Sequence, residues 1–358
     1  MKRILTIVGA RPQFIKAAAI SHVIRDKYSD SISEDILHTG QHYDDAMSGR
    51  FFTELDIPHP KYNLGVGSGS HGRQTALMLS GIEEILLNNR YDGLLIYGDT
   101  NSTLAGALAA SKLQVPVYHV EAGLRSFNRA MPEEVNRIVA DHVSTLLFAP
   151  TQTAIQNLHN EGFAESQAIF SGDVMLDNVR HYSPIALQAT IPAIPDRPFI
   201  LATVHRDFNT DNEERLKTIL STLCDLSSNY HSDILLPLHP RTRHRIDSMN
   251  LGSLLEHIRV VQPLSYLETL AALNRSWLVL TDSGGLQKEA YFCGRTCVIL
   301  RPETEWTEIV EVGAAILADA DADRIASAVA SLKEIHPTPP TQFGDGNAAD
   351  IIIQKILI

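Results

Sequence analysis

Residues 94–103, Leu-Leu-Ile-Tyr-Gly-Asp-Thr-Asn-Ser-Thr, decide the fold class of this chain. The apolar run 94–97 predicts a strand that is buried on both faces, and the pattern over 102–112 predicts a helix directly after it. A buried strand that runs straight into a helix is the first half of a βαβ unit, in which the next strand lies parallel to the first.

The same alternation extends in both directions from this stretch. In the N-terminal half it predicts strands over 4–8, 94–97, 115–120 and 145–149, and helices over 14–26, 72–88, 102–112 and 132–143. Further on it predicts strands over 199–204, 234–238, 258–261, 277–281 and 296–300, and helices over 213–226, 265–274, 286–293 and 322–333. We therefore predict an α/β protein with two Rossmann-like domains that face a central cleft.

The length of 358 residues is more than one hydrophobic core usually supports, which also favours two domains. The four prolines within 183–198 predict an inter-domain linker. We assign 1–172 to the first domain and 173–344 to the second. The apolar end of the chain predicts a helix that is too short to be a domain, so we expect it to dock and assign 345–358 to the first domain.

Composition excludes several classes of function. The 42 acidic residues exceed the 30 basic ones and give a net charge of −12, which argues against nucleic-acid binding and against a basic membrane-binding surface. No apolar run approaches the ~20 residues of a membrane-spanning helix. The three cysteines, Cys224, Cys293 and Cys297, lack metal-ligand spacing. We therefore expect no metal site and a reduced, cytoplasmic protein.

Ligands of doubly wound sheets bind where strands end and helices begin, so these junctions are the candidate sites. At the first junction Gly9 permits a tight turn, and Arg11 and Lys16 flank a helix N-terminus that favours an anion. A phosphate site is therefore predicted there. The alternative is a basic helix start that only contacts solvent.

Three acids follow the next junctions. Asp99 and Glu121 come directly after two predicted strands, and Glu133 lies in the first turn of the helix that begins at Pro132. We expect them to converge at one edge of the sheet, where clustered carboxylates raise one another's pKa and suit proton transfer. The neighbouring Glu134 is explained equally well by the positive end of the helix.

The second domain offers a complementary set of residues. His205-Arg206 and His239-Pro240-Arg241 end its first two strands, although an isolated histidine there often has a structural role. The strongest local signal is 281–289, Thr-Asp-Ser-Gly-Gly-Leu-Gln-Lys-Glu. Its glycines allow backbone N–H groups to approach a pyrophosphate. The candidate ligands are Ser283, Gly284, Gly285 and Glu289, and the alternative is a structural turn.

The chain does contain one G-x-G-x-x-G pattern, over 67–72, but it does not lie at the first strand–helix junction. The first junction itself lacks this fingerprint of dinucleotide-binding proteins. We therefore predict a flexible loop at 67–72, and a dehydrogenase is disfavoured.

Taken together, these motifs resemble those of the non-hydrolysing UDP-N-acetylglucosamine 2-epimerases. The resemblance covers nearly the whole chain and rests on Gly9-Ala10-Arg11-Pro12, Gly98-Asp99-Thr100, residues 119–125, residues 132–137 and Asp282-Ser283-Gly284-Gly285. It implies the two-domain fold shared with many nucleotide-sugar glycosyltransferases (the GT-B type). It also implies a cytosolic homodimer, without cofactor, that serves surface-polysaccharide precursor synthesis.

The resemblance also assigns roles to individual residues. It implies that Asp99, Glu121 and Glu133 are the catalytic acids and that His205, which we also assign as catalytic, lies near the diphosphate. It implies a UDP-sugar as the ligand. The substrate-binding residues that we assign are Arg11, Lys16, Arg125, Arg137, His239, Arg241, Ser283, Gly284, Gly285 and Glu289.

Three departures from the commonest members concern the sugar. Gln13, the segment from His239 to Thr242 and Thr304-Glu305-Trp306 resemble the subgroup that acts on UDP-2,3-diacetamido-2,3-dideoxyglucuronate. Its C6 carboxylate would need additional cations, for which Arg125, Arg129, Arg241 and Arg243 are candidates. The alternative is that these arginines form surface ion pairs.

A fourth departure concerns regulation. Gln41-His42 resembles part of the pocket where bacterial members bind an activator, but the loop that completes this pocket is replaced by 67–72. The resemblance therefore does not carry activation by substrate over to this chain.

Two other functions remain open at this point. A glycosyltransferase of the same fold would use a similar UDP site, but it usually needs a single base. A non-catalytic nucleotide-sugar binding module needs none of Asp99, Glu121 and Glu133. The three acids favour the epimerase.

Overall fold

The computed structural model describes residues 1–40, 52–189, 191 and 193–358, so Gln41-His42 lies outside the described residues. The chain forms two compact units, 1–178 with 341–358 (the first domain) and 179–340 (the second domain). Their limits lie at 178 rather than 172 and at 340 rather than 344. The linker prediction is wrong, because 183–198 lies within the second domain and Pro184 is accommodated inside a helix, Val174–Gln188.

Each domain contains one parallel sheet. The strands of the first are Lys2–Val8 (β1), Ile32–His38 (β2), Tyr62–Asn63 (β3), Gly93–Tyr97 (β4), Val117–Val120 (β5), Leu146–Ala149 (β6) and Ala168–Phe170 (β7). Those of the second are Phe199–Thr203 (β8), Asp233–Pro237 (β9), Arg259–Val261 (β10), Leu278–Thr281 (β11), Cys297–Ile299 (β12) and Ala315–Leu317 (β13). The strand orders are β3-β2-β1-β4-β5-β6-β7 and β10-β9-β8-β11-β12-β13. The α/β prediction is confirmed.

Helices connect these strands. Those of the first domain are Arg11–Lys27 (α1), His71–Asn88 (α2), Asn101–Lys112 (α3), Pro132–Val143 (α4), Gln152–Asn160 (α5) and the beginning of Val174–Gln188 (α6). The second domain has Asp207–Thr210 (α7), Glu213–Tyr230 (α8), Pro240–Ser248 (α9), Tyr266–Arg275 (α10), Gly284–Phe292 (α11), Thr307–Glu311 (α12) and Ala322–Leu332 (α13). In the described part of the chain no helix is long and apolar enough to cross a membrane.

The hydrophobic pattern did not predict β2, β7 or β13. Strands β7 and β13 are apolar but only three residues long, whereas β2 is longer and its apolar run is interrupted. In β2 the middle is Ser33-Glu34-Asp35, yet the Glu34 carboxylate accepts hydrogen bonds from Ser21 Oγ at 2.6 Å and Thr6 Oγ1 at 2.5 Å. Burial raises the pKa of Glu34 in spite of these two bonds. Because the polar middle of β2 is satisfied by hydroxyl groups, the strand forms without the hydrophobic pattern by which the other strands were predicted.

The closing helix Ala348–Leu357 (α14) docks on the first domain, as expected. Its first free N–H groups, of Ala348 and Ala349, donate to the carboxylate of Asp177 at 3.1 and 2.8 Å. Asp350 accepts from Tyr28 at the end of α1 at 3.1 Å. Ile352, Ile353 and Ile356 are buried, so the apolar face of the helix covers the sheet domain rather than meeting solvent.

Candidate functional site

The strand order decides which junctions lie together. In the first sheet β1 lies beside β4, and β4 lies beside β5, so the residues that follow these three strands share one edge. The chain reverses its direction of winding between β1 and β4, which is the place where doubly wound sheets bind ligands. The first domain therefore brings the loops of Arg11, Asp99 and Glu121 to one edge of its sheet.

Gln13 joins two of these loops. Its side-chain oxygen accepts from the N–H of Gly9 at 2.8 Å and of Ala10 at 3.2 Å. Its amide nitrogen donates to Tyr97 O at 2.9 Å and to Thr103 Oγ1 at 3.0 Å. One buried amide thus holds the start of α1 against the end of β4, a role that the sequence did not reveal.

Glu121 is held by Lys16. The Lys16 ammonium lies 2.5 Å from the Glu121 carboxylate, and the two side chains are only 11% and 10% exposed. Glu121 has a φ of +70°, a conformation that costs a non-glycine residue about 1–2 kcal/mol. At Gly98, with φ of +62°, a Cβ would lie 3.1 Å from the Lys16 ammonium. Lys16 was predicted to bind substrate, but here it neutralises a predicted catalytic acid.

Asp99 has a similar partner in Arg137. Arg137 Nη2 lies 2.5 Å from Asp99 Oδ2, and its Nη1 lies 2.8 Å from Glu134. Asn136 donates to the backbone oxygen of Asp99 at 2.9 Å. The Arg137 side chain is nearly buried, whereas that of Asp99 is 31% exposed. Asp99 is therefore anchored on one side and open on the other.

The two glutamates at the start of α4 differ. Glu134 accepts from the N–H groups of Ser126 and Phe127, both at 2.9 Å. Burial alone would raise its pKa, but these bonds and the Arg137 charge hold the pKa below its usual value. The structural role that we left open for Glu134 is therefore observed. Glu133 has no hydrogen bond or ion pair within the described residues and remains available to a ligand.

The structure corrects the prediction for Arg125. Its guanidinium makes two bonds to the carboxylate of Glu161, at 2.6 and 2.7 Å, and one at 2.7 Å to Asp141. The side chain is 1% exposed. Arg125 therefore packs inside the first domain and does not reach a ligand, because two buried or half-buried acids engage its donors. Arg11 lies half-exposed at the start of α1, and its role in substrate binding stays a prediction.

The second sheet has its own reversal, between β8 and β11, and the two predicted junctions meet there. His205 Nδ1 lies 3.1 Å from Asp282 Oδ1, with the Asp282 side chain fully buried and that of His205 46% exposed. The N–H groups of His205 and Arg206 also donate to Asp282, both at 3.0 Å. Burial would raise the pKa of Asp282, but His205 and these N–H groups lower it below its usual value. A buried carboxylate thus orients an exposed imidazole.

Helix α11 begins at Gly284, two residues earlier than predicted. Ser283 is its N-cap and accepts from the Leu286 N–H at 3.4 Å. The first N–H groups of a helix have no partner within it, so those of Gly284 and Gly285 can donate to an anion. A Cβ on Gly285 would meet nothing within 4 Å, which leaves the approach open. Glu289, one turn further on, is buried.

The segment 301–306 lies beside this helix start, and of its residues Arg301 was missed as a site residue. Arg301 and Glu305 form two parallel hydrogen bonds, both 3.0 Å. A Cβ on Gly284 would lie 3.7 Å from both Arg301 Nη1 and Trp306 Nε1. The signal that could have found Arg301 is its place directly after an apolar strand, at the same edge as Asp282.

Two further predicted ligands have partners of their own. His239 Nδ1 accepts from the Arg241 N–H at 3.3 Å and so caps α9. The Arg241 guanidinium pairs with Asp207 and, at 2.9 Å, with Asp211. The surface ion pairs that we named as the alternative for Arg241 are therefore what the structure contains.

The chain resembles characterised enzymes over its whole length. A family model described as UDP-N-acetylglucosamine 2-epimerase matches residues 26–357. The UDP-2,3-diacetamido-2,3-dideoxy-D-glucuronate 2-epimerase of Pseudomonas aeruginosa is 49% identical over 357 residues, 99% of both chains. A UDP-N-acetylglucosamine 2-epimerase homologue of Methanococcus maripaludis is 45% identical over 363 residues, again 99% of both chains. The crystal structure of Methanocaldococcus jannaschii UDP-GlcNAc 2-epimerase with UDP-GlcNAc and UDP matches with a TM-score of 0.90 at 40% identity and covers 98% of both chains.

Proposed function

The chain belongs to the UDP-N-acetylglucosamine 2-epimerase family and is an isomerase, and we propose that it inverts C2 of a UDP-2-acetamido sugar. The observation that carries this proposal is the pair of reversal points. Asp99 and Glu121 lie at one of them, with Glu133 in the first turn of α4, and His205 and the open start of α11 lie at the other. Proton transfer needs the first set of groups, and a diphosphate leaving group needs the second.

The reaction balances without an oxidant or reductant. A base removes the C2 proton while the bond from C1 to the diphosphate oxygen breaks, which forms a C1–C2 double bond and releases UDP. A proton then adds to the other face of C2, and UDP re-forms the bond to C1. Substrate and product are isomers, and each proton removed by one carboxylate is replaced from another acid.

We assign the proton transfers to Asp99, Glu121 and Glu133 as a group. Lys16 and Arg137 support this role, because each places a cation 2.5 Å from the acid beside it and so compensates its charge. His205, Ser283, Gly284 and Gly285 are assigned to the diphosphate, and Glu289 to the ribose.

The sugar we propose is UDP-2,3-diacetamido-2,3-dideoxyglucuronate. The 49% identity to the P. aeruginosa enzyme over 99% of both chains supports this choice. A C6 carboxylate requires a cation, and Arg129 and Arg243 are exposed and have no ion pair within the described residues. Arg241 is a third candidate, because its pairs are exposed and can exchange for a ligand carboxylate.

The test is turnover of both sugars in D₂O. The purified protein is given this UDP-sugar and UDP-N-acetylglucosamine, alone and in competition, and kcat/KM is measured for each. We expect deuterium at C2 of the product and a higher kcat/KM for the uronate. Retention of protium at C2 would contradict proton abstraction. Equal or better use of UDP-N-acetylglucosamine would contradict the uronate assignment while leaving the epimerase in place.

We further propose that the enzyme is a cytosolic homodimer that supplies surface-polysaccharide precursors. Leu77 and Leu87 are 50% and 67% exposed on α2, and Val135 on α4 is 46% exposed, which favours a covered apolar face. The cysteines are all free thiols, as expected in a reducing compartment. Light scattering should give twice the chain mass, and Leu77→Lys with Leu87→Lys should lower it to one chain.

A further inference from the structure

We propose that His119 is a positioning residue of this enzyme, one that holds the turn in front of Asp99. His119 lies in β5 and is completely buried. Its Nε2 lies 2.8 Å from the carbonyl oxygen of Gly98, and its Nδ1 lies 2.6 Å from Asp141 Oδ1. The inference rests on the proposed function, since it matters for turnover only if Asp99 acts on the sugar.

The partners of His119 determine where its protons are. A carbonyl oxygen only accepts, so Nε2 must carry a hydrogen that it donates to Gly98. Asp141 accepts on its other oxygen from the Gly123 N–H at 3.1 Å and from Arg125 at 2.7 Å. Burial would raise the pKa of Asp141, but His119 and Arg125 hold it below its usual value. At 2.6 Å, His119 Nδ1 and Asp141 Oδ1 share one hydrogen between them, and the hydrogen on Nε2 serves Gly98.

Two hydrogen bonds fix the turn at Gly98, one at its N–H group and one at its carbonyl group. The Gly98 N–H donates to Val120 O at 3.0 Å, and its carbonyl accepts from His119, so β5 holds both atoms. Asp99 follows directly, and Glu121 comes two residues after His119. One imidazole thus sets the distance between the strand ends that carry two of the three acids. A misplacement of about 1 Å at such groups costs roughly 10²-fold in rate.

Two amide variants separate the two bonds of His119. The amide nitrogen of His119→Gln falls near the place of Nε2 and keeps the donor to Gly98. That of His119→Asn falls near the place of Nδ1 and keeps only the bond to Asp141. We expect His119→Asn to lower kcat by about 10²-fold with little change in KM, whereas His119→Gln retains most of kcat. His119→Gln loses the bond to a buried carboxylate and His119→Asn the bond to a neutral carbonyl, so His119→Gln should have the lower denaturation midpoint although it keeps the higher kcat. Equal kcat values, or losses confined to KM, would overturn the proposal.

The parent enzyme provides a readout that does not depend on either variant. Nitrogen NMR of ¹⁵N-histidine-labelled protein should show a hydrogen on Nε2 of His119. An Nε2 atom without a hydrogen would refute the bond from His119 to the Gly98 carbonyl even if the variants failed to fold. If the parent turned over neither sugar, the proposed function would be wrong, and the ring spectrum would still decide whether this bond exists.

Discussion

The two reversal points of this protein are built in opposite ways. In the first domain Asp99 and Glu121 each have a cation 2.5 Å away, from Arg137 and Lys16. In the second domain the charged group, Asp282, is buried, and what meets solvent is the imidazole that it orients. The helix beside it begins with two glycines.

Proton transfer and diphosphate binding place different demands on a sheet edge, and each domain meets one of them. A proton-transfer site needs carboxylates whose charge is already compensated, so that an anionic substrate is not repelled. A diphosphate site needs N–H donors and no side chain that blocks them. The following predictions test this division, beginning with the largest expected effect.

Removal of one acid should abolish most of the turnover. Glu121→Gln keeps the size of the side chain but cannot transfer a proton, so kcat should fall by about 10²–10⁴-fold. Steady-state kinetics measures this loss, and circular dichroism checks that the fold is intact. Glu165→Gln is the control, because Glu165 is an exposed acid of the same domain and should leave kcat unchanged. A Glu121→Gln enzyme within about threefold of the parent would leave Glu121 as a partner of Lys16 alone.

Replacement of the buried acid should instead affect the stability of the second domain. Asp282→Asn should lower the free energy of unfolding by about 2 kcal/mol at pH 7, since it weakens bonds from several donors to a buried charge. Both tryptophans, Trp277 and Trp306, lie in this domain, so their fluorescence during urea denaturation reports on it.

This stability should depend on pH with a defined sign. The pKa of native Asp282 is lowered, so below the unfolded value of about 3.9 the unfolded chain binds more protons than the native one. The contribution is complete above that pH and is lost as the pH falls through the native pKa. The difference in the free energy of unfolding between the parent and Asp282→Asn should therefore become smaller as the pH is lowered. A difference independent of pH would show that the charge of Asp282 does not stabilise the domain.

A single methyl group at the start of α11 should weaken UDP binding without loss of stability. Gly285→Ala has open space for its Cβ, but the methyl would occupy the approach of a diphosphate. We expect a Kd for UDP about 10-fold higher by calorimetry, and an unchanged melting temperature. Gly252→Ala is the matched control, since its Cβ also meets nothing within 4 Å. If both variants bound UDP with equal affinity, the assignment of the diphosphate to the start of α11 would be wrong.

The smallest effect is expected at the surface of the second domain. Arg241→Ala breaks only exposed ion pairs and should cost less than about 1 kcal/mol. If Arg241 exchanges its partners for a sugar carboxylate, kcat/KM should fall for the uronate and not for UDP-N-acetylglucosamine. Arg243→Ala provides the comparison, because Arg243 has no ion pair within the described residues. If only Arg243→Ala lost the preference for the uronate, Arg243 rather than Arg241 would be the residue that binds the sugar carboxylate.

The sequence predicted the elements that have strong local signals. The central strands β4, β8 and β11 are almost entirely apolar, and the apolar part of β1 is interrupted by Thr6 alone, because helices cover both of their faces. The outer strands escaped prediction where polar residues interrupt the run, as Ser33-Glu34-Asp35 does in β2. The site residues that follow the central strands could also be predicted, because each lies between a clear strand end and a clear helix start.

The sequence by itself determined which residues stand at the strand ends, because turn chemistry and hydrophobic periodicity act over a few residues. The tertiary structure alone decided their partners. Lys16 and Glu121 are 105 residues apart in the chain, and His205 and Asp282 are 77 apart, yet both pairs are in contact. The physical reason is the strand order: it brings β1, β4 and β5 together in one sheet and β8 and β11 together in the other, and no local pattern encodes that order.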